Sequence, residues 1–219
     1  MKAVIFDMDG VLVKEDRYWK VASEVAFDLA GRRIPFAFVQ ECKSRGMNSN
    51  WEICYEFVKG TGIDYEGVKE LFQKKLAELN PKNELVISRE AFLDVFFSLK
   101  PLYSMYIATS RPRKEALEAV EQTVLSEFFN EDSVYGMEDA APEKNLKEAL
   151  FSMVREKNKL GDCIVVGDTV SDVLAGKRLG FMAVGVYGSL DNRADLEKAR
   201  ADILAENLSE LWILLDGIK

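Results

Sequence analysis

Histidine does not occur anywhere in the 219 residues. That one absence removes Ser-His-Asp and Cys-His nucleophile schemes, imidazole general bases and histidine metal sites. Any catalysis here falls to carboxylates or lysine. Cysteine is scarce too: Cys42, Cys54 and Cys163 are odd in number and show no CxxC spacing, which argues against a disulfide framework or a zinc site and leaves three small buried residues. No apolar run approaches the roughly 18 residues that span a bilayer, and the N-terminus enters a strand pattern with no basic-then-apolar leader, so a membrane is not expected and a cytoplasmic location is. Basic blocks are missing as well. Lys plus Arg number 29 against 37 Asp plus Glu, a formal charge of −8, which makes nucleic acid an unlikely partner. What is present, 48% apolar and 30% charged residues, is the balance of an ordinary globular chain.

The stretch VIFDMDGVL (4–12) runs apolar residues straight into two aspartates. Desolvating an unpaired carboxylate costs several kcal/mol, so the placement of Asp7 and Asp9 needs a reason. The run KAVIF recurs in kind as YSMYIA (103–108), DCIVVG (162–167) and FMAVGV (181–186), each expected to be a strand buried on both faces. Between them Phe92, Val95, Phe96 and Leu99, then Leu146, Ala149, Leu150 and Met153, then Leu208, Leu211, Trp212 and Leu215 fall at helical spacing. Alternating strands and helices predict an α/β fold, a parallel sheet with helices on both faces, whose ligands sit at the carboxyl ends of the strands. Asp7, Thr109 and Asp168 each fall just after such a run. Residues 14–85 break the alternation with helical spacings only, which predicts an inserted helical domain between residues 1–13 and 86–219, with Pro81 ending a helix at its exit.

In extended backbone, residues i and i+2 point to the same side, so Asp7 and Asp9 can face one pocket. Like charges about 4 Å apart repel by about 4 kcal/mol at an effective dielectric near 20. A divalent cation relieves that repulsion, and Mg2+, which takes carboxylate and carbonyl oxygens, suits the donors; Asp168 and Asp172 of GDTVSD can add more. Three other patterns carry nothing. Gly176-Lys177 lacks the following Ser or Thr of a P-loop, Asn207-Leu208-Ser209 reads as a helix cap and not a glycosylation site, and the aromatics of the insert read as core.

FDMDGVL (6–12) resembles motif I of the haloacid dehalogenase superfamily, and VVGDTVSDVLAGKRLG (165–180) resembles its motif IV. YIATSRP (106–112) offers Thr109 for motif II, and APEKNLKEAL (141–150) offers Lys144 for motif III, although the family's usual Lys-Pro pair is absent. The resemblance implies a Rossmann-like three-layer α/β/α core with an α-helical cap, of the phosphoglycolate phosphatase and beta-phosphoglucomutase-like subgroup. It implies a Mg2+-dependent phosphomonoester hydrolase, active as a monomer or homodimer on a small phosphorylated metabolite. Asp7 is then the nucleophile that forms an aspartyl-phosphate and Asp9 the acid and base. Asp7, the Asp9 carbonyl and Asp168 become Mg2+ ligands, with Asp172 binding directly or through water. Thr109 and Lys144 hold the phosphoryl oxygens, and Gly10 lets the chain turn beside them.

Several alternatives stay open. Asp172 also fits a capping pattern with Thr169, Thr109 can be a helix N-cap, Ser110 competes with it, and Lys147 competes with Lys144. The insert lies where the family carries its cap, and its segment KSRGMNSN (43–50) offers Arg45, Asn48 and Asn50 to a substrate carboxylate or hydroxyls. The residues SRP (110–112) are similar to an archaeal branch linked to histidine biosynthesis, which adds histidinol phosphate to phosphoglycolate and sugar phosphates as substrates. A sugar phosphomutase of this pattern carries a cap histidine that is missing here. A dehalogenase has no use for Asp9, and neither does a non-catalytic binding module.

Overall fold

Along Ala3–Phe6 (β1), Val4 and Phe6 enter one hydrophobic cluster while Ala3 and Ile5 enter another, so the period-2 geometry of a strand buries both faces and explains an unbroken apolar run. The computed structural model describes residues 2–45, 47, 49–140, 145–188 and 192–216. In chain order the helices are α1 (Asp16–Ala30), α2 (Phe36–Ser44), α3 (Asn50–Val58), α4 (Tyr65–Leu79), α5 (Arg89–Leu99), α6 (Arg113–Glu121), α7 (Leu146–Lys157), α8 (Val170–Arg178), α9 (Arg193–Lys198) and α10 (Leu211–Asp216). The remaining strands are β2 (Ser104–Ala108), β3 (Val134–Tyr135), β4 (Cys163–Gly167), β5 (Met182–Val186) and β6 (Ile203–Ala205).

Two compact units result. One comprises residues 1–14 and 83–219, the other residues 15–82. In the first, six parallel strands lie in the order β3-β2-β1-β4-β5-β6. Residues from α5, α6 and α10 pack on one face with Val4, Phe6 and Val166, and residues from α7 and α8 on the other with Ile5 and Val165, giving a Rossmann-like three-layer sandwich. Phe92 and Phe96 of α5 stack at 4.1 Å, and Phe6 lies 5.2 Å from Phe96, which seats the first strand on that helix. The chain leaves β1 for β2 and β3 on one side, then crosses to β4 on the other. The topological switch point therefore lies between β1 and β4, where open parallel sheets bind ligands.

The sequence-based reading named four strands. The structure adds Val134–Tyr135 and Ile203–Ala205, whose two and three residues are too short for any alternation to register. It also turns the end of the chain into a 3₁₀ turn over Leu208–Glu210 followed by α10, with the Asn207 side chain accepting the Ser209 N–H at the start.

In the second unit, α1, α3 and α4 share a core of Val21, Ala22, Val25, Ile53, Cys54, Val68 and Phe72. Gly31, at φ +67°, ends α1, and Asn80, at φ +38° just before Pro81, ends α4. The sequence reading saw no helix over 36–44. Val39 and Cys42 of α2 are buried in the core, Phe38 packs against it half-buried and Phe36 is exposed, so its stripe is narrow. Lys43 and Ser44, expected in a loop, belong to that helix. All three cysteines are free and buried, and no helix among the described residues is long and apolar enough to cross a membrane.

Candidate active site

Register places the carboxylates. Phe6 of β1 pairs with Ile107 of β2 and Val166 of β4, so Asp7, Thr109 and Asp168 leave three adjacent strands at one edge. The Asp7 N–H still donates to the Val166 carbonyl at 2.8 Å, and the Thr109 N–H to the Tyr135 carbonyl at 3.0 Å, which carries the sheet pairing up to the site. Gly10 at φ +74° turns the chain immediately beyond, its N–H donating to the Val13 carbonyl at 2.8 Å.

Carboxylate oxygens of Asp7, Asp168 and Asp172 lie within 4.8 Å of one another, and none of the three residues is more than 5% exposed. Asp172 arrives from the first turn of α8. Its Oδ2 accepts the Thr169 N–H at 3.1 Å and the Thr169 hydroxyl at 2.5 Å, while the Thr169 Oγ1 accepts the Asp172 N–H at 3.3 Å. The capping reading of Asp172 therefore describes one of its oxygens, and the other faces the cluster. Gly167 makes this possible, because a Cβ there would sit 2.2 Å from the Asp172 Cβ.

The cation that meets these groups is Lys147, which stands in the first turn of α7 behind the Asn145 cap. Its Nζ lies 2.7 Å from Asp7 Oδ1 and 2.9 Å from Asp172 Oδ1. Asp7 Oδ1 also accepts the Met8 N–H at 2.7 Å. Burial pushes the Asp7 carboxyl up to about 7; Lys147 pulls it down, while Asp172 and Asp9 push it further up. For Lys147 burial acts downward, but the attraction of Asp172 and Asp7 outweighs it and the ammonium is held above its ordinary range. With Asp7 ionised, one ammonium against two carboxylates leaves the triad one negative charge in excess before Asp168 is counted. A buried, hard-oxygen donor set with surplus negative charge fits a small divalent cation such as Mg2+.

Asp9 points elsewhere. Arg111 Nε donates to its Oδ2 at 2.7 Å and Arg111 Nη2 to its Oδ1. Arg111 Nη1 donates to Asn83 Oδ1 at 3.0 Å, and its N–H to Thr109 Oγ1 at 3.1 Å. Thr109 is buried, and the N-cap of α6 is Pro112, so Thr109 does not cap that helix; Ser110 follows it half-buried.

In the helical unit, the guanidinium of Arg45 donates to Cys42 Sγ at 3.4 Å and lies 3.9 Å from Glu41. Asn50 opens α3. Asn48 and Lys144 lie outside the described residues.

Two polar groups escaped the sequence reading. Arg111 sat in view as a base two positions past a strand-end hydroxyl, the place where any charged side chain faces the same edge as the aspartates. Asn192 carries no such signal: its Nδ2 donates to the Asp168 carbonyl at 2.7 Å from the loop after β5, fixing the backbone that presents Asp168.

Comparison with known proteins identifies the family and the fold. A family model described as haloacid dehalogenase-like hydrolase matches residues 1–180. A phosphoglycolate phosphatase of Vibrio parahaemolyticus is 30% identical over 96% of this chain and 94% of its own length. The pyrophosphatase PpaX of Bacillus velezensis is 26% identical over 73% of this chain and 74% of its own. A haloacid dehalogenase-like family protein from Streptococcus pneumoniae superposes with a TM-score of 0.76 at 22% identity, covering 99% of this chain and 98% of that one, a likeness of fold.

Proposed function

The chain belongs to the haloacid dehalogenase-like hydrolase family, as a phosphatase, and from that premise we propose that it hydrolyses small phosphomonoesters through an aspartyl-phosphate with the help of Mg2+. The observation that supports this reading is the buried Asp7–Asp168–Asp172 cluster met by Lys147 at the switch point. Asp7, Asp168 and the Asp9 carbonyl would hold Mg2+, with Asp172 direct or through water, and the ion when bound offsets the charge of these carboxylates and of the phosphoryl oxygens.

Asp7 attacks phosphorus through Oδ2, the oxygen outside its contacts with Met8 and Lys147, as the bond to the leaving oxygen breaks. Asp9 gives its proton to that oxygen. Water then attacks the phosphoaspartate, Asp9 takes the proton, and the bond between phosphorus and Asp7 breaks to release inorganic phosphate. Lys147 and the Thr109 hydroxyl hold the phosphoryl oxygens; Lys147 takes the part that the sequence reading gave first to Lys144. The helical unit serves as a cap, with Arg45, Asn48 and Asn50 reading the rest of the substrate.

Phosphate release is measured with Mg2+ over phosphoglycolate, sugar phosphates, histidinol phosphate and an aryl phosphate. Turnover is expected on at least one of them, and Asp7→Asn is expected to lose it by on the order of a thousandfold or more with the fold intact. No release from any of them, or an Asp7→Asn variant that still turns over, overturns the reading. The likeness to a pyrophosphatase favours pyrophosphate as the second substrate class, and it belongs in the same panel.

A further inference from the structure

An acid that hands a proton to a leaving group must have its carboxyl group held in one direction, and a guanidinium that meets both of its oxygens fixes that direction. Asp9 is held in this way. Its two oxygens face Nε and Nη2 of Arg111, and Arg111 is itself buried. The pair continues inward: Arg111 Nη1 donates to Asn83 Oδ1 at 3.0 Å, and Asn83 Nδ2 donates to Gln122 Oε1 at 2.8 Å just past α6. Arg111 is thus anchored on its far side and oriented by its own backbone bond to Thr109.

Sequence position alone puts Asp9 on the same side as Asp7, two residues away, where it could become a further ligand of the same cation. The structure keeps it apart. The carboxylates close enough to share an ion are those of Asp7, Asp168 and Asp172, and the Asp9 side chain is turned to Arg111 instead.

We propose that Arg111 is a positioning residue that divides the acidic groups by task, holding the Asp9 side chain out of the cation cluster and aimed for proton transfer while the other three aspartates keep the ion. Arg111 acts through Asp9 and does not touch the substrate. The Asn83–Gln122 pair behind it fixes the plane of the guanidinium, and with it the plane of the carboxylate. This rests on the reading of Asp9 as the acid and base of a phosphatase.

The test compares Arg111→Gln, Arg111→Lys, Asp9→Asn and the Asp9→Asn/Arg111→Gln double variant on two phosphate esters. One has an alkyl alcohol as leaving group and needs the acid; the other, 2,4-dinitrophenyl phosphate, does not. For Arg111→Gln, kcat on the alkyl ester is expected to fall at least tenfold with KM within twofold, while turnover of the dinitrophenyl ester stays within threefold. Arg111→Lys, which keeps the charge but not the two-pronged geometry, is expected to recover part of the loss. In the Asp9→Asn background the Arg111 substitution is expected to add less than twofold, since its effect runs through a group already gone. Binding of Mn2+ alone, followed by titration calorimetry, is expected to change in Arg111→Gln and to return to the wild-type value in the double variant. A tenfold rise in KM, equal losses on both esters, or additive effects in the double variant overturns the positioning role and makes Arg111 a substrate contact or a general structural support. If Asp9→Asn leaves alkyl-ester turnover intact, the acid-base reading of Asp9 falls first and the inference falls with it.

Discussion

Lys147 is among the most buried cations of the chain, and its value is set by what it leaves behind when removed. Its ammonium holds Asp7 at 2.7 Å and Asp172 at 2.9 Å. Taking away one member of a buried ion pair costs roughly 3–5 kcal/mol, because the surviving charge stays desolvated. Lys147→Met, which keeps the aliphatic volume, is therefore expected to lower the unfolding free energy of the metal-free protein by about 3 kcal/mol in urea. Added Mg2+ is expected to restore part of that stability and almost none of the turnover, since the ion can neutralise carboxylates but cannot replace the ammonium proposed to grip a phosphoryl oxygen. Asp172 is engaged on both sides: one oxygen closes the capping box with Thr169, and the other is paired by charge with Lys147 at 2.9 Å.

Helix α8 shows how a local device supports the site. Its N-terminus is closed by Thr169, and the residue that completes the box is Asp172, so the cap and the cluster share a side chain. Losing a Thr cap costs about 1 kcal/mol, which for a chain of this length lowers Tm by about 3 °C. Thr169→Ala is expected to show that shift by calorimetry. Because the hydroxyl no longer pins Oδ2, kcat is expected to fall severalfold as well, whereas Thr169→Ser keeps both the cap and the rate. A Thr169→Ala variant that loses stability but keeps full turnover would separate the cap from the site. Helix α7 follows the same logic from the other side, its Asn145 cap setting where the first turn, and hence Lys147, begins.

For the molecule as a whole, the acidic cluster is expected to make stability depend on ions and protons together. Asp7 ionises near pH 7 in the metal-free fold, against 3.8 for the free side chain. Between those values the native state holds a proton that the unfolded chain has lost, so this group's contribution favours folding at the acid end of the window and is lost as pH rises towards 7. Metal-free Asp7→Asn, which has no such proton, is expected to gain stability relative to wild type as pH goes from about 4 to about 7. The comparison of the two urea curves reads it directly. Under the proposed function Mg2+ binds only the folded cluster, and at a hundredfold excess over its Kd it is expected to add about 2.7 kcal/mol, a rise of several degrees in Tm that EDTA reverses and Asp7→Asn abolishes. A Tm indifferent to Mg2+ in the wild type would remove the cation from the account.

The central strands and most helices of the sheet unit were legible because their signals are local. Val4 to Phe6 and Cys163 to Val166 are buried on both faces and so are apolar throughout, Met105 to Ala108 are buried but for the half-buried Tyr106, and Phe92 to Leu99 and Leu150 to Val154 present one stripe to the sheet. Asp7, Thr109 and Asp168 could be marked from chain order alone, since polar residues at the ends of parallel strands share an edge. What the sequence left open was every choice between neighbours along the chain that depends on direction in space. That Lys147 meets Asp7 was seen only once the pitch of α7 aimed it inward. Arg111 and Asp9 lie 102 residues apart, and nothing in either neighbourhood names the other. The order β3-β2-β1-β4-β5-β6, and the two- and three-residue strands at its ends, likewise came only from packing. Periodicity is written along the backbone and survives in a one-dimensional string; the pairing of buried charges is decided by angles between elements far apart in it, and only the folded chain holds those.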